Sequence, residues 1–330
     1  MKFLFALLLS VVSGQNVADR FSSWMDEYQV SASNDEQYLA MLTKWADNDK
    51  FIQETNAKNL THTLAHNQFS AMDAEDYKYF LGYAASLGRP KRLGATRKFG
   101  TDNLSSEVNW ITKGGVSAVK DQGQCGSCWS FSTTGALEGA YFVKTGELVS
   151  FSEQQLVDCD ILRNGGRDQG CNGGLMDNAF TWIGKNGGLC LEADYPYVSG
   201  DTQTEGTCVK KCSEVAGSSV SRYVDVPPSD DAQMMAALNQ QPVAIAIEAD
   251  QREFQLYKSG VFSGTCGTTL DHGVLAVGYG TENGEDYYLV KNSWGTSWGS
   301  DGYIKLGRGS KFNRGDGQCG MLLSASYPIV

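Results

Sequence analysis

Histidine is scarce in this chain: three in 330 residues, at positions 62, 66 and 272. So few imidazoles leave little choice of base for acid–base chemistry. Positive charge is short as well, with 27 Lys and Arg against 38 Asp and Glu for a net charge of -11. That balance argues against a nucleic-acid partner, because phosphate backbones need a basic surface. No long run of like charge marks a tail. Past the first dozen residues no segment is apolar enough to cross a bilayer, so no membrane span is expected in the mature protein. Residues 19 to 83 hold none of the nine cysteines, and are expected to form a unit of their own.

What is present falls into blocks. Met1 and Lys2 lead into an apolar run, Phe3 to Val12, closed by small residues near Ser13 and Gly14. This reads as a secretory signal peptide over residues 1 to 14, and such entry places the cysteines where disulfides form. The next block is charged, with Tyr38, Met41, Leu42, Trp45 and Ile52 on a helical period. Gly88 to Gly100 is basic and rich in chain breakers, as an exposed processing linker is. Asn59-Leu-Thr61 and Asn103-Leu-Ser105 are glycosylation sequons. Up to about Gly217 the chain then reads helical, whereas 242–248, 270–279, 286–292 and 302–306 alternate like antiparallel strands, so two lobes are expected. Asn283-Gly284 marks a hairpin that brings His272 and Asn292 to the same end. A plain two-residue turn places His272 opposite Gly295, so a bulge or longer loop is needed.

The chemistry concentrates in Lys120 to Ser132, KDQGQCGSCWSFS. Trp129, Ala136, Leu137, Ala140 and Tyr141 form one helical stripe, and Thr145-Gly146 ends it. Gly123 and Gly126 keep the helix from starting earlier than about Ser127, so Cys128 falls on its first turn. There the helix dipole favours a thiolate, the nucleophilic form. Taken alone, Cys125-Gly-Ser-Cys128 has three readings: a redox dithiol, half a zinc site, or one structural and one reactive cysteine. No thioredoxin-like setting is seen for the first, and only Cys208 and Cys212 offer a second pair for the zinc reading.

The run Gln122 to Phe131, followed by Cys171-Asn-Gly-Gly174, Leu270-Asp-His272-Gly and Lys291-Asn292-Ser-Trp294-Gly-Thr-Ser-Trp298-Gly, resembles the papain family of cysteine proteases, in its cathepsin L-like branch. The resemblance extends from about Phe21 to Val330. It implies an α+β, papain-like fold of a helical lobe and an antiparallel, barrel-like lobe, preceded by a helical propeptide. The expected division is signal peptide 1–14, inhibitory propeptide 15–103 and peptidase domain 104–330. Trp45, Asn48, Ile52 and Asn56 keep the spacing of the family's propeptide helix, but Gln37 and Met41 stand where Glu and Arg are expected, so that helix lacks its usual ion pair. Asn67-Gln-Phe69 resembles the next propeptide motif, with Ala65 and Ala71 replacing its Gly and Asp.

By the same resemblance Cys128 is the nucleophile, His272 the base and acid, Asn292 the group that orients the imidazole, and Trp294 the shield over that bond. Gln122 and the Cys128 N–H form the oxyanion hole. A thiolate–imidazolium pair of this family puts the cysteine pKa at about 3 to 4, and activity at acid pH is expected. Gly174 pairs with the substrate backbone. Leu175, Met176, Ala246, Leu270 and Gly273, with Ser324 at the base, line the pocket for the side chain two residues before the cut, and Trp298 joins the substrate-binding set. Implied bridges are Cys125–Cys171, Cys159–Cys208 and Cys266–Cys319, leaving Cys190 and Cys212 to pair or to exchange with the Cys159 bridge.

The function expected is an endopeptidase made as a zymogen, since no inserted loop blocks one end of the cleft, with a preference for bulky apolar residues at the second position. Its partners are polypeptide substrates, its own propeptide and cystatin-like inhibitors, and it is expected to be a monomer needing no metal or cofactor, in lysosome, vacuole or the extracellular space. The competing readings are a catalytically inactive, disulfide-rich binding module and a thioredoxin-like oxidoreductase.

Overall fold

The structure is a computed structural model and describes residues 16–83, 95–96, 98–209 and 212–330. The expected signal peptide and most of the basic linker lie outside these residues. In chain order the helices and strands are α1 (Val17–Glu27), α2 (Asp35–Asn56), β1 (His62–Leu64), α3 (Ala74–Tyr77), β2 (Ala95–Thr96), β3 (Val108–Asn109), α4 (Cys128–Thr145), α5 (Glu153–Cys159), α6 (Met176–Asn186), α7 (Ser199–Thr202), β4 (Arg222–Asp225), α8 (Asp231–Leu238), β5 (Val243–Ile247), α9 (Arg252–Gln255), β6 (Tyr257–Phe262), β7 (His272–Glu282), β8 (Glu285–Lys291), β9 (Tyr303–Gly307) and β10 (Ala325–Ile329).

The N-terminal unit is a helical hairpin with a small core of its own. Asn16 and Asn34 cap α1 and α2 by accepting from Ala18 N and Gln37 N, which fixes where each helix begins. Phe21, Trp24 and Trp45 are buried between them, with Phe21 packed edge-on to Trp45. The helical ion pair that the sequence lacks is replaced by one between helices: Arg20 of α1 binds Asp49 of α2, and His66 closes on the same carboxylate at 3.1 Å. Asn56 clasps Leu64 through both its carbonyl and its amide.

The C-terminal lobe is a ten-stranded sheet in the order β1-β6-β9-β8-β7-β5-β10-β4-β2, with β3 added to β7. Most pairs are antiparallel, as the alternation predicts, but β6 lies parallel to β9 and β2 parallel to β4. The edge strand β1 comes from the N-terminal unit, so that unit is hydrogen-bonded into the sheet it covers. The hairpin between β7 and β8 is the two-residue turn expected, with Asn283 and Gly284 at φ 52° and 83° and Glu282 paired to Glu285. Its ladder breaks at Val277, whose carbonyl accepts from Trp110 N instead. Beyond this bulge the pairing is offset by one residue, so the strand continues toward Trp294 opposite His272.

Helix α4 runs between the lobes. Every residue from Cys128 to Tyr141 is buried, where a one-faced stripe was expected, because α5 and α6 cover one side and β7, β5 and β10 the other. Its polar residues are satisfied internally: Ser132 Oγ donates to Val274 O and Thr133 Oγ1 to Trp129 O. Gly146 ends it at φ 78°. Bridges join Cys125–Cys171, Cys159–Cys208, Cys190–Cys212 and Cys266–Cys319, which leaves Cys128 as the one free cysteine.

Candidate active site

The two cysteines of Cys125-Gly-Ser-Cys128 are in different bonding states, the first in a bridge and the second free, so the segment is neither a dithiol nor half a metal site. Cys128 opens α4 with no side-chain cap, and its Sγ accepts from Gly273 N at 3.2 Å. That contact sets the nucleophile beside the start of β7, where His272 lies fully buried. His272 Nε2 meets Asn292 Oδ1 at 2.8 Å, leaving Nδ1 without another partner. Trp294 stacks on the imidazole at 4.5 Å, as the register after the bulge implies. The side chain of Gln122 is held at both ends: its Oε1 accepts from Ser293 Oγ at 2.7 Å, and its Nε2 donates to Cys125 O. Ser293 was not singled out in the sequence, although its place between Asn292 and Trp294 was a signal.

The N-terminal unit ends in this cleft. Phe80 O accepts from Gln122 Nε2 at 2.9 Å, Gly82 N–H donates to Cys128 Sγ, Gly82 O accepts from Gly174 N, and Tyr83 N donates to Asp271 O. Tyr83 reaches the residue expected at the base of the substrate pocket, its hydroxyl 3.1 Å from Ser324 Oγ. Of the residues expected to line that pocket, Leu175, Met176 and Ala246 are buried, Leu270 is partly so, and Gly273 lies where a Cβ would press on Met176. On the other side Phe69 and Tyr77 pack edge-on to Trp294, while Gln68 donates to Trp294 O at 2.6 Å. Trp298 is different. It is fully buried behind Trp294, against Phe254 and Tyr257, with its indole N–H on Gln255 O.

Sealing the cleft changes its electrostatics. Burial pushes the Cys128 thiol up to about 12 against the donors from Gly273 and Gly82, and the same burial drives His272 down to about 4 despite Asn292. This reverses the low cysteine pKa expected of an ion pair, because that expectation belongs to an open cleft and here the N-terminal segment excludes water.

A free cysteine at a helix N-terminus, an imidazole oriented by an amide, and a cleft filled by the chain's own leading segment define a cysteine hydrolase held in its precursor form. Residues 104–329 match the profile of the papain family cysteine proteases, and residues 21–77 that of the cathepsin propeptide inhibitor domain. Among similar proteins are the probable cysteine protease RD21B of Arabidopsis thaliana, 45% identical over 96% of this chain and 67% of its own length, and the cysteine protease XCP2 of the same plant, 41% identical over 96% and 87%. The chain spans 60% of the related proteinase RD21A. In three dimensions it resembles a recombinant stem bromelain precursor, with TM-score 0.85 and 33% identity over 95% of this chain and 99% of that one. Digestive procathepsin L 3 of Tenebrio molitor larval midgut gives 0.83 and 37% over 96% and 100%. The chain belongs to the papain family of cysteine proteases and carries that family's inhibitory propeptide domain.

Gly82 is the tightest point of the seal, since a Cβ there would strike the carbonyl and Cα of Gly126, which are backbone and cannot swing aside. Gly82→Ala is therefore expected to lift the segment off Cys128. In the full-length protein at neutral pH, iodoacetamide should alkylate the variant's thiol much faster than that of the wild type. Equal alkylation rates would show that Gly82 does not set the seal.

Proposed function

We propose that this chain is a cysteine endopeptidase made as a zymogen, with residues 1–14 as signal peptide, 15–103 as inhibitory propeptide and 104–330 as peptidase. The observation that carries the reading is the path of Phe80 to Tyr83 across Cys128, Gln122 and Ser324. In the opened enzyme the Cys128 thiolate attacks the scissile carbonyl, His272 delivers the proton to the leaving amine, and Asn292 holds the ring in position. Gln122 Nε2 and the Cys128 N–H receive the oxyanion, the place Phe80 O takes in the zymogen. Tyr83 follows Gly82 in sequence yet fills the pocket assigned to a residue that precedes the cut. The propeptide thus runs opposite to a substrate, which supports its acting as an inhibitor without being cleaved there.

The pocket is apolar apart from Ser324, and burying a Leu or Phe in it contributes about 1.5 to 3 kcal/mol. An arginine would lose hydration without a charge partner. Tyr83 on Ser324 adds tyrosine to the accepted residues. The site is complete within one chain, which supports a monomer acting on polypeptides, and cystatin-like proteins are proposed as competitors for the same cleft. Entry into the secretory pathway, with a vacuolar, lysosomal or extracellular destination, fits the disulfides and the propeptide. Among the described residues no helix is long and apolar enough to cross a membrane.

The propeptide's own chemistry supports release at acid pH. Asp49 is a poor trigger: burial raises its pKa, but hydrogen bonds from His66 and Arg20 outweigh that and hold it at about 2. His62 is a better one. It sits in β1 against Phe262 of the peptidase, both ring nitrogens unpartnered, and burial lowers it from 6.5 to about 4 even with Glu253 3.8 Å away. The docked state thus binds fewer protons than the free one. Docking is at full strength above pH 6.5 and weakens as pH falls toward 4, by about thirtyfold at pH 5.

Cys128→Ala should lower peptide hydrolysis by more than about a hundredfold with the four bridges intact, measured after titrating the wild type with E64, the inhibitor bound in a bromelain structure of similar fold. Residual turnover above that level would remove Cys128 from its role. With paired fluorogenic dipeptides, Phe-Arg and Tyr-Arg should exceed Arg-Arg in kcat/KM, and Ser324→Glu should narrow the gap; an Arg-Arg substrate that matches Phe-Arg in the wild type overturns the pocket assignment. His62→Phe keeps the ring contact but not the proton, so the midpoint of self-conversion should move to lower pH. An unchanged midpoint in a pH series followed by gel would reject His62 as the sensor.

A further inference from the structure

The loop between Cys159 and Cys171 folds back on itself around two aspartates. Asp168 N donates to Asp160 O at 2.9 Å, and Arg167 N donates to Asp160 Oδ1 at 3.0 Å. Both residues are 1% exposed. Asp168 Oδ1 accepts from two donors at 3.0 Å, Leu175 N and Asn178 Nδ2. The Oδ2 atom of each aspartate has no hydrogen-bond donor, and the two carboxyl groups lie close enough for each to act on the other's titration as a hydrogen-bonding partner. Ionised carboxylates only accept, so that partnership needs a proton on one of them.

The surroundings favour keeping it. Lys185 of α6 and Arg167 of the loop act on Asp160 as positive charges, but burial outweighs them and moves its pKa up to about 6. Asp168 has no cation among its partners: it faces Asp160, Asn178 and the Leu175 N–H, and burial with the Asp160 charge holds its pKa well above the carboxylate range. The indole of Trp129 in α4 closes the remaining side, since a Cβ on Gly174 would touch both that ring and Asp168 Cγ. Asp158 of α5 points elsewhere, to Gln154, Tyr195 and Gly206.

What this pair holds is the wall of the cleft. Leu175 N is bound to Asp168, Gly174 N binds Gly82 O in the zymogen, and Leu175 with Met176 begins α6 at the pocket. We propose that Asp160 and Asp168 share a single proton and through it act as positioning residues for the Gly174–Met176 wall, so that substrate binding tightens while the proton is held and slackens when it leaves. This rests on the protease reading above. Because both groups are raised in the folded state, their support is complete below the ordinary carboxyl value and is lost as pH rises toward the pair's own.

Asp168→Asn tests this directly. The side-chain carbonyl can still accept from Leu175 and Asn178, while its amide gives Asp160 a donor that no pH removes. With activated enzyme, counted by active-site titration, wild-type KM for a Phe-Arg substrate should rise by roughly three- to tenfold between pH 5 and 8, the worth of one net hydrogen bond, with the change in KM more than in kcat. The Asn variant's KM should stay flat. If Asp168→Asn folds poorly, Asp160→Asn carries the same expectation, its amide donating to Asp168. Carboxyl-carbon NMR of the full-length Cys128→Ala protein should show one of the two groups still protonated at pH 6. Parallel KM profiles in wild type and variants, or both carboxyls ionised by pH 5, would overturn the shared proton. Absence of protease activity from the wild type would instead fail the functional reading.

Discussion

Helix α4 is buried on every side from Cys128 to Tyr141, and the rest of the molecule follows from that constraint. A helix without a wet face has no free surface on which to leave its first N–H groups, so its N-terminus must open into a cleft or be paired. Here it opens between the lobes, and Cys128 stands at that point. Burying the helix also buries Glu138, which is answered by Ser117 and Phe151 N, while Lys120 meets Glu153 at 2.7 Å close by. Ser117 Oγ also accepts from Lys291 Nζ of β8, so the loop that carries Gln122 is tied to both lobes. The oxyanion donor and the nucleophile are thus held by one packed layer.

The propeptide uses the same layer in two ways. It occupies the cleft through Phe80, Gly82 and Tyr83, and it removes the water that would stabilise charge there. A thiol pushed up to about 12 beside an imidazole lowered to about 4 is a neutral pair, and a neutral pair is a weak nucleophile. On the proposed reading, departure of the propeptide would restore access and solvation together. Its attachment depends on a short strand, β1, on aromatic rings laid against Trp294, and on one neutral histidine. On the proposed reading, the segment that does the inhibiting also carries its own acid-sensitive anchor.

Acidity also bears on the other side of the cleft. The wall that pairs with Gly82 in the zymogen is tied to Asp168, whose carboxyl is buried beside a second one. Conditions that weaken the His62 anchor are the ones in which that pair keeps its proton. Release and substrate binding would then be favoured over the same range of pH.

Local rules made much of this legible. Gly123 and Gly126 before an apolar stripe located the start of α4, Gly146 its end, and Asn283-Gly284 the hairpin, because each depends on the conformational range of one or two residues. The motifs around Cys128, His272 and Asn292 pointed to a cysteine hydrolase, since those side chains have few other uses in combination. Other features needed the folded chain. The bulge at Val277 arises because Trp110 takes its carbonyl, a contact across 167 positions that no local pattern encodes. Burial of Trp298, the replacement of a helical ion pair by Arg20 and Asp49, the contact of Tyr83 with Ser324, and the meeting of Asp160 with Asp168 are of the same kind. Sequence determined which groups were available and where the chain would turn. Tertiary structure decided which of them lost their water and what they met in its place, because desolvation depends on everything packed around a group and not on its neighbours in the chain.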